Sequence, residues 1–469
     1  MSTFHVENFG CRAARADGEA VSARLRALGL NESPFADAEI VLLNTCSVTA
    51  EADRDARAFV RKTRRANPAA KIVVTGCYAQ RAPEEIAALP GVAAVVGNSH
   101  KALLPEILRD LAQAPVSPLL PAANLLMPVL ADDRFAHSFL EEAPLAPGNI
   151  PGTQTRPNLK IQEGCGNRCT FCVIPTTRGH SRSLPADKVL AQIRQFVAAG
   201  GHELVLSGIN LGRWGRDIAG SPTFSELLRR IVETTGLARL RLSSIEPMDW
   251  TAGLIALLRD CTPSTSEQTG RIARHAHLPL QSGSDSVLRR MHRRYRPWHY
   301  EQKVASLAEA IGPQLALGAD VMIGFPGETD AEFRETHELI ARLPLTYLHL
   351  FPFSPRPGTP GWDLHRQFPV PAAAVHERIA ALRTLAGEKT LAFRRSLLGH
   401  SLPAITLHTP PETAALGRTL ALTDNFLPVE IDASLPSNTL LSVLPSRLIE
   451  NGIVLAQRDL PHANIPMAS

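Results

Sequence analysis

Three cysteines sit at C-x3-C-x2-C spacing in the run Gly164-Cys165-Gly166-Asn167-Arg168-Cys169-Thr170-Phe171-Cys172. Nothing else in the chain constrains the fold as tightly, because three thiols on one short loop can converge on a single inorganic centre. A cubane iron–sulfur cluster takes four thiolates. A loop that offers three leaves one iron open to a small ligand. The alternatives are a zinc knuckle and a disulfide. Zinc would call for a second C-x2-C or a His pair at close range, and none follows. The seven cysteines are odd in number, and the opening Met1-Ser2-Thr3-Phe4-His5-Val6-Glu7 has no basic-then-apolar export signal, which argues against disulfides. A strand-like run, Leu159-Lys160-Ile161-Gln162, leads directly into the loop.

With its aromatic Phe171, the loop resembles the signature of radical S-adenosylmethionine enzymes. That resemblance implies that the open iron chelates the amino and carboxylate groups of the cofactor, with Phe171 among the cofactor-binding residues.

A chain of 469 residues is expected to form two or three domains with ample core, and 44% hydrophobic residues is ordinary for a globular protein. No run is long enough to span a bilayer, so no membrane partner is expected. Cysteines without an export signal point to the reducing cytoplasm. A formal net charge of +4 identifies no partner by itself.

Residues 1–115 read as alternating strands and helices. Phe4–Glu7, Glu39–Leu43, Lys71–Val74 and Ala93–Val96 are short apolar runs of strand length, which predicts a small parallel α/β sheet. Cys11, Cys46 and Cys77 each follow one of the first three strands. Residues just past the carboxyl ends of parallel strands share one edge of the sheet, so these distant thiols are expected to meet. A second three-thiolate cluster follows from that; three unrelated buried cysteines are the alternative.

Asn44-Thr45-Cys46-Ser47-Val48-Thr49, Val74-Thr75-Gly76-Cys77-Tyr78-Ala79-Gln80 and the radical loop together resemble the methylthiotransferase family over nearly the whole chain. The resemblance implies two [4Fe-4S] clusters as cofactors beside S-adenosyl-L-methionine. Cys165, Cys169 and Cys172 would hold the one that splits S-adenosylmethionine into a deoxyadenosyl radical. Cys11, Cys46 and Cys77 would hold an auxiliary cluster to which sulfur is attached, and a second S-adenosylmethionine would supply the methyl group. The chain departs from the family after Cys11, where Ala14 and Ala16 stand in place of an asparagine and a tyrosine.

The Pro-rich stretch 116–155 reads as a connector. From 156 to 398 the alternation resumes, with candidate strands Leu159–Gln162, Glu203–Leu206, Arg239–Leu242, His277–Leu280, Asp320–Ile323 and Tyr347–Leu350. Six such repeats predict an incomplete (β/α)6 barrel with its chemistry at the carboxyl ends of the strands. Gly208, Glu246, Gln281 and Gly324 lie at those ends and resemble the family's cofactor-binding elements. Each glycine taken alone equally suits a turn, and Glu328 is a candidate cap for the helix beginning near Asp330. No catalytic side chain is assigned. Cys261 lies at a helix end, away from the other six cysteines, and is expected to be dispensable.

Two basic clusters stand out, Arg54 to Arg65 and Arg289-Arg290-Met291-His292-Arg293-Arg294-Tyr295-Arg296 with Trp298. The first suits a solvated helix face. The second, mixing cations with aromatics, suits phosphate contacts and base stacking. Residues 399–469 carry short period-two runs that predict a small β-barrel, placed like the RNA-binding TRAM domain of the family. From Ser401 on, however, Arg418, Arg447 and Arg458 face Glu412, Asp424, Glu430, Asp432, Glu450 and Asp459, a poor basis for gripping phosphates.

Asn44 to Ala52, Thr177 to Ser183 and Ser243-Ser244-Ile245-Glu246-Pro247 look most like the branch acting on threonylcarbamoyladenosine at tRNA position 37. The alternatives are isopentenyladenosine at that position, an aspartate of a ribosomal protein, or an iron–sulfur RNA-binding protein without catalysis. The resemblance implies tRNA as substrate, with a cellular reductant and a sulfur donor as further partners.

Overall fold

The computed structural model describes residues 2–10, 12–47, 49–113, 129–135, 145, 154–262, 271–449 and 454–459. The amino-terminal part is a parallel sheet of β1 (Thr3–Asn8), β2 (Asn31–Glu32), β3 (Ile40–Thr45), β4 (Lys71–Gly76), β5 (Val92–Gly97) and β6 (Val129–Leu130), in the order β2-β1-β3-β4-β5-β6. Ile40 to Thr45 is buried throughout, as expected for a central parallel strand covered on both faces. Leu42 and Val73 face one core with Val21 and Leu25. Leu43, Ile72 and Val74 face another with Ala56 and Val60. The helix Ala50–Ala66 follows β3, with the Thr49 side chain accepting from the Ala52 backbone N–H at its start.

The central part is built on β7 (Asn158–Glu163), β8 (Arg182–Ser183), β9 (Glu203–Gly208), β10 (Arg239–Leu242), β11 (His275–His277), β12 (Ala316–Ile323) and β13 (Tyr347–Pro352). They form two hydrogen-bonded groups, β10-β9-β7-β8 and β11-β12-β13. A parallel bridge from Leu240 to Ile272, just ahead of β11, links them. Along each long strand alternate residues point one way. Ile161, Leu204, Leu206, Leu240, Leu242, Ala276, Leu317, Ala319 and Val321 pack in one core with Val189, Ile193, Leu227, Leu257, Leu307 and Leu339 of the helix layer. The alternating set turned to the other, inner face includes Gln162, Glu203, Ser207, Arg239, Arg241, His275, His277, Asp320, Tyr347 and His349 beside Val205 and Ala316.

The helix Ala372–Ser396 leads to a closed barrel of β14 (Leu402–Thr406), β15 (Thr419–Thr423), β16 (Pro428–Ile431), β17 (Leu440–Leu448) and β18 (Val454–Arg458), in the order β14-β15-β16-β18-β17. Its β15–β16 turn meets the start of the central strands. Arg274 donates to both Asp424 oxygens at 2.6 and 2.9 Å, Arg241 donates to the Thr423 and Asp424 carbonyls at 3.1 Å, and the Phe426 ring lies 4.7 Å from that of His275. Among the described residues, no helix is long and apolar enough to cross a membrane.

Three details differ from the sequence expectation. Edge strands β2, β6 and β8 and the barrel strand β18 were not foreseen; β2, β6 and β8 are two residues each, too short for periodicity to register. The fourth central strand is His275–His277 rather than His277–Leu280, because Leu280 and Gln281 both donate to the Asp320 carbonyl and Gln281 takes a φ of 63°. Most of 116–155 lies outside the described residues, yet Val129–Leu130 completes the amino-terminal sheet and Phe135 lies beneath Arg182.

Candidate cluster and cofactor site

The 165–172 loop is fixed from two sides. Gly164 holds a φ of 69°, and a Cβ there would meet the His180 carbonyl at 2.0 Å, so the entry demands glycine. Cys165 N–H donates to the Gly179 carbonyl at 3.0 Å. On the far side, Thr170 N–H donates to the Met291 carbonyl at 3.2 Å and its hydroxyl to the Arg290 carbonyl at 2.9 Å. The thiols receive donors: Asn167 N–H and Asn210 Nδ2 reach Cys165 Sγ at 3.4 and 3.6 Å, and Arg293 Nη1 reaches Cys169 Sγ at 3.2 Å. Burial pushes the Cys165 thiol up and the Cys172 thiol to about 12. A bound cation would favour their thiolate form.

Cys11 lies outside the described residues. Its neighbour Gly10, at φ 113°, touches Cys46 so closely that a Cβ there would fall 2.8 Å from Cys46 Sγ. Gly76, at φ 99°, lies against Thr45, and a Cβ there would meet the Thr45 carbonyl at 2.2 Å. The exits of β1, β3 and β4 are thus drawn together, with Cys46 and Cys77 both buried. Ala14 and Ala16 are buried in the next helix, and the Ala14 carbonyl accepts from Asn44 Nδ2 at 2.5 Å.

The segment that follows the 165–172 loop reaches a thiol of the amino-terminal sheet. Arg178 Nε donates to Cys77 Sγ at 3.3 Å, while Asn98 Nδ2 donates to Cys77 Sγ at 3.5 Å and to the Thr177 carbonyl at 2.8 Å. Arg178 also reaches Glu163 at 2.6 Å and Asp17 at 3.3 Å. Lys101 pairs with Asp17 at 2.6 Å, and Lys160 pairs with both Asp17 and Glu163. Three cations therefore surround two carboxylates in a sealed interface. Burial works against charge on Asp17 and Glu163, but the surrounding cations hold Asp17 well below the usual carboxylate range and lower Glu163 as well. A second tie crosses nearby, where Asp53 accepts from Arg81 at 2.8 Å and from Arg356 at 2.6 Å.

The expected cofactor residues sort unevenly. Phe171 is half-buried against the central core. Gly208 does leave bare backbone, but Gln162 fills it, with Oε1 3.1 Å from where a Cβ would stand. Glu246 accepts from Arg293 Nη2 at 2.5 Å. Gln281 is buried at the end of the β11 segment. Gly324, at φ 74°, abuts Val375, and its N–H donates to Glu328, which also holds Arg378 at 2.8 Å. The cap of the Asp330 helix is Thr329, not Glu328. Ser207 Oγ, Asn210 Oδ1, Ser243 Oγ and Gln281 Oε1 are buried without hydrogen-bond partners. Unpaired polar atoms gathered at the strand exits fit a polar cofactor that supplies the missing bonds. Sequence reasoning missed Arg178, Asn98 and Asn210, whose contacts are long-range and leave no local spacing.

The basic run 289–296 differs from the expectation in one respect. Arg293 and Tyr295 are buried and turned inward, Tyr295 donating to the Pro279 and Leu280 carbonyls at 2.7 Å. Burial beside Cys169 and Glu246 leaves Arg293 no reach to a phosphate. His292, Arg294 and Trp298 face outward. In the terminal barrel, Arg418 is paired with Glu430 at 3.1 Å.

Residues 3–97 match the Uncharacterized protein family UPF0004, and residues 159–340 match the Radical SAM superfamily. The chain is 33% identical to the threonylcarbamoyladenosine tRNA methylthiotransferase of Bacillus subtilis (strain 168), over 92% of this chain and 90% of that one. It is also 33% identical to the tRNA-2-methylthio-N(6)-dimethylallyladenosine synthase of Novosphingobium aromaticivorans, over 85% of each. Among solved structures, the radical S-adenosylmethionine methyltransferase TsrM from Kitasatospora setae superposes with a TM-score of 0.57 at 16% identity, covering 78% of each chain, a likeness of fold.

Proposed function

Because the chain belongs to the radical S-adenosylmethionine tRNA methylthiotransferases, we propose that it adds a methylthio group to carbon 2 of threonylcarbamoyladenosine at position 37 of tRNA in the cytoplasm. The observation that carries this reading is the Arg178–Cys77 contact, by which the segment following the 165–172 loop touches a thiol of the amino-terminal sheet. Cys165, Cys169 and Cys172 hold one [4Fe-4S] cluster, and Cys11, Cys46 and Cys77 hold the other. When bound, the first supplies the electron that cleaves S-adenosylmethionine, and the second carries the sulfur to be transferred.

The chain's own residues bind and shield. Ser207, Asn210, Ser243 and Gln281 offer unpaired polar atoms to the cofactor. Arg293 orients Glu246 at the same mouth. The Asp17–Lys101–Lys160–Glu163–Arg178 interface excludes water between the two parts. Phosphates of the tRNA meet the outward Arg289 and Arg294.

Threonylcarbamoyladenosine is preferred to isopentenyladenosine because Asn44 to Ala52, Thr177 to Ser183 and Ser243 to Pro247 resemble that branch, and the Bacillus subtilis relative named for it matches 92% of this chain. Mass spectrometry of tRNA nucleosides from a deletion strain tests the assignment. The methylthio form of threonylcarbamoyladenosine is expected to vanish, with the unmethylthiolated form taking its place. Loss of the isopentenyl derivative instead would move the chain to the other branch.

A further inference from the structure

We propose that His277, Asp320 and His349 form a binding site for one divalent transition-metal ion on the inner face of the central sheet, separate from both thiol sets. The three residues occupy neighbouring strands β11, β12 and β13 and lie on the same inner face. Their ligand atoms all fall within 4.8 Å of one another. His277 Nε2 lies 3.1 Å from Asp320 Oδ1, and His349 Nδ1 lies 3.2 Å from the same oxygen. Bonds of about 2.0–2.1 Å at tetrahedral angles place neighbouring ligand atoms about 3.3 Å apart, so the two separations to Asp320 suit one ion.

A second observation points the same way. His277 is 4% exposed, and its Nε2 turns toward the same Asp320 oxygen that His349 Nδ1 meets. Two imidazole nitrogens converging on one carboxylate oxygen have the placement of metal ligands. Its other nitrogen, Nδ1, meets the Tyr347 hydroxyl at 3.0 Å, and that hydroxyl also meets His275 Nε2 at 2.7 Å. Ligating histidines are commonly oriented in this way, through the nitrogen that does not bind metal. Two imidazoles and one carboxylate suit zinc, iron(II) or cobalt(II) better than magnesium or calcium. Because His349 is 56% exposed, the ion keeps open positions toward the inner space, where it can take an oxygen donor such as a carboxylate. The site rests on this geometry and not on the proposed tRNA reaction.

Cobalt(II) is the probe. Holoenzyme with its thiol sites filled by iron and sulfide is dialysed anaerobically against cobalt(II), freed of excess, and assayed for metal and visible absorption. The expected result is one cobalt per chain beyond the cluster iron, with d–d bands and without thiolate charge-transfer bands. Asp320→Asn and His349→Ala are expected to weaken cobalt binding at least a hundredfold with the iron unchanged, and Tyr347→Phe about 10–100-fold. Should His277→Ala fail to fold, the half-exposed His349 still provides the ligand test. No additional cobalt in the wild type, equal cobalt in the variants, or thiolate charge-transfer bands would each overturn the proposal.

Discussion

The Arg178 guanidinium donates to Cys77 Sγ at 3.3 Å, so a residue that closely follows the 165–172 loop touches a thiol of the amino-terminal sheet. The contact is held by charge. Arg178 is fully buried among Asp17, Glu163, Lys101 and Lys160, and the balance of these groups decides what a substitution does.

Asp17→Asn would leave three buried cations against Glu163 alone. Removing one partner from a buried ionic set costs about 3–5 kcal/mol when a charge is left uncompensated. Arg178→Met would leave two cations against two carboxylates and is expected to cost less. Urea denaturation of the two variants beside the wild type checks the order. A larger loss in Arg178→Met would contradict the charge balance.

Glu19 gives a pH signature. Its Oε2 accepts from the Asn158 N–H at 3.4 Å, its Oε1 has no hydrogen-bond partner, and burial raises its pKa from 4.5 to about 7. A raised folded pKa means that stability is fully present below the unfolded value and is lost as pH rises through the folded one. Glu19→Gln removes that loss. The variant is expected to match the wild type near pH 4.5 and to exceed it by up to about 3 kcal/mol at pH 8. Melting curves at both pH values decide it; an equal effect at each would refute the assignment.

Within 289–296, facing decides role. Arg289 and Arg294 are exposed, and replacing both with Ala should flatten the dependence of log tRNA affinity on log salt by roughly one unit per lost contact. Arg293→Ala should leave that slope unchanged and reduce deoxyadenosine formation, because Arg293 serves Cys169 and Glu246. Filter-binding titrations at several salt concentrations separate the two. A flattened slope in Arg293→Ala alone would reverse the roles.

Cys261 provides a control. It is half-buried beyond the helix Ala252–Asp260, and Cys261→Ser should keep wild-type iron and turnover. Lost iron in that variant would place Cys261 among the ligands.

Much of this was legible in the sequence because the signals are local. Ile40 to Leu43 and Lys71 to Val74 announce buried parallel strands by continuous apolar character, and C-x3-C-x2-C announces its loop by spacing alone. What stayed hidden depends on contacts between distant segments. Nothing near Arg178 marks it as a partner of Cys77, and the charges of 289–296 do not say which of them turn inward. The alternation of β11, β12 and β13 places His277, Asp320 and His349 on one face, yet only the pairing register sets them side by side.

Division of labour between the two thiol sets is the central claim, and one assay addresses it directly. Reconstituted wild type, a Cys77→Ser variant and a Cys165→Ser variant are each given S-adenosylmethionine, a reductant and tRNA bearing threonylcarbamoyladenosine, with deoxyadenosine and methylthio nucleoside measured by mass spectrometry. The wild type should form both products, Cys77→Ser deoxyadenosine without the methylthio nucleoside, and Cys165→Ser neither. Full methylthio product from Cys77→Ser, or deoxyadenosine from Cys165→Ser at the wild-type level, would contradict it.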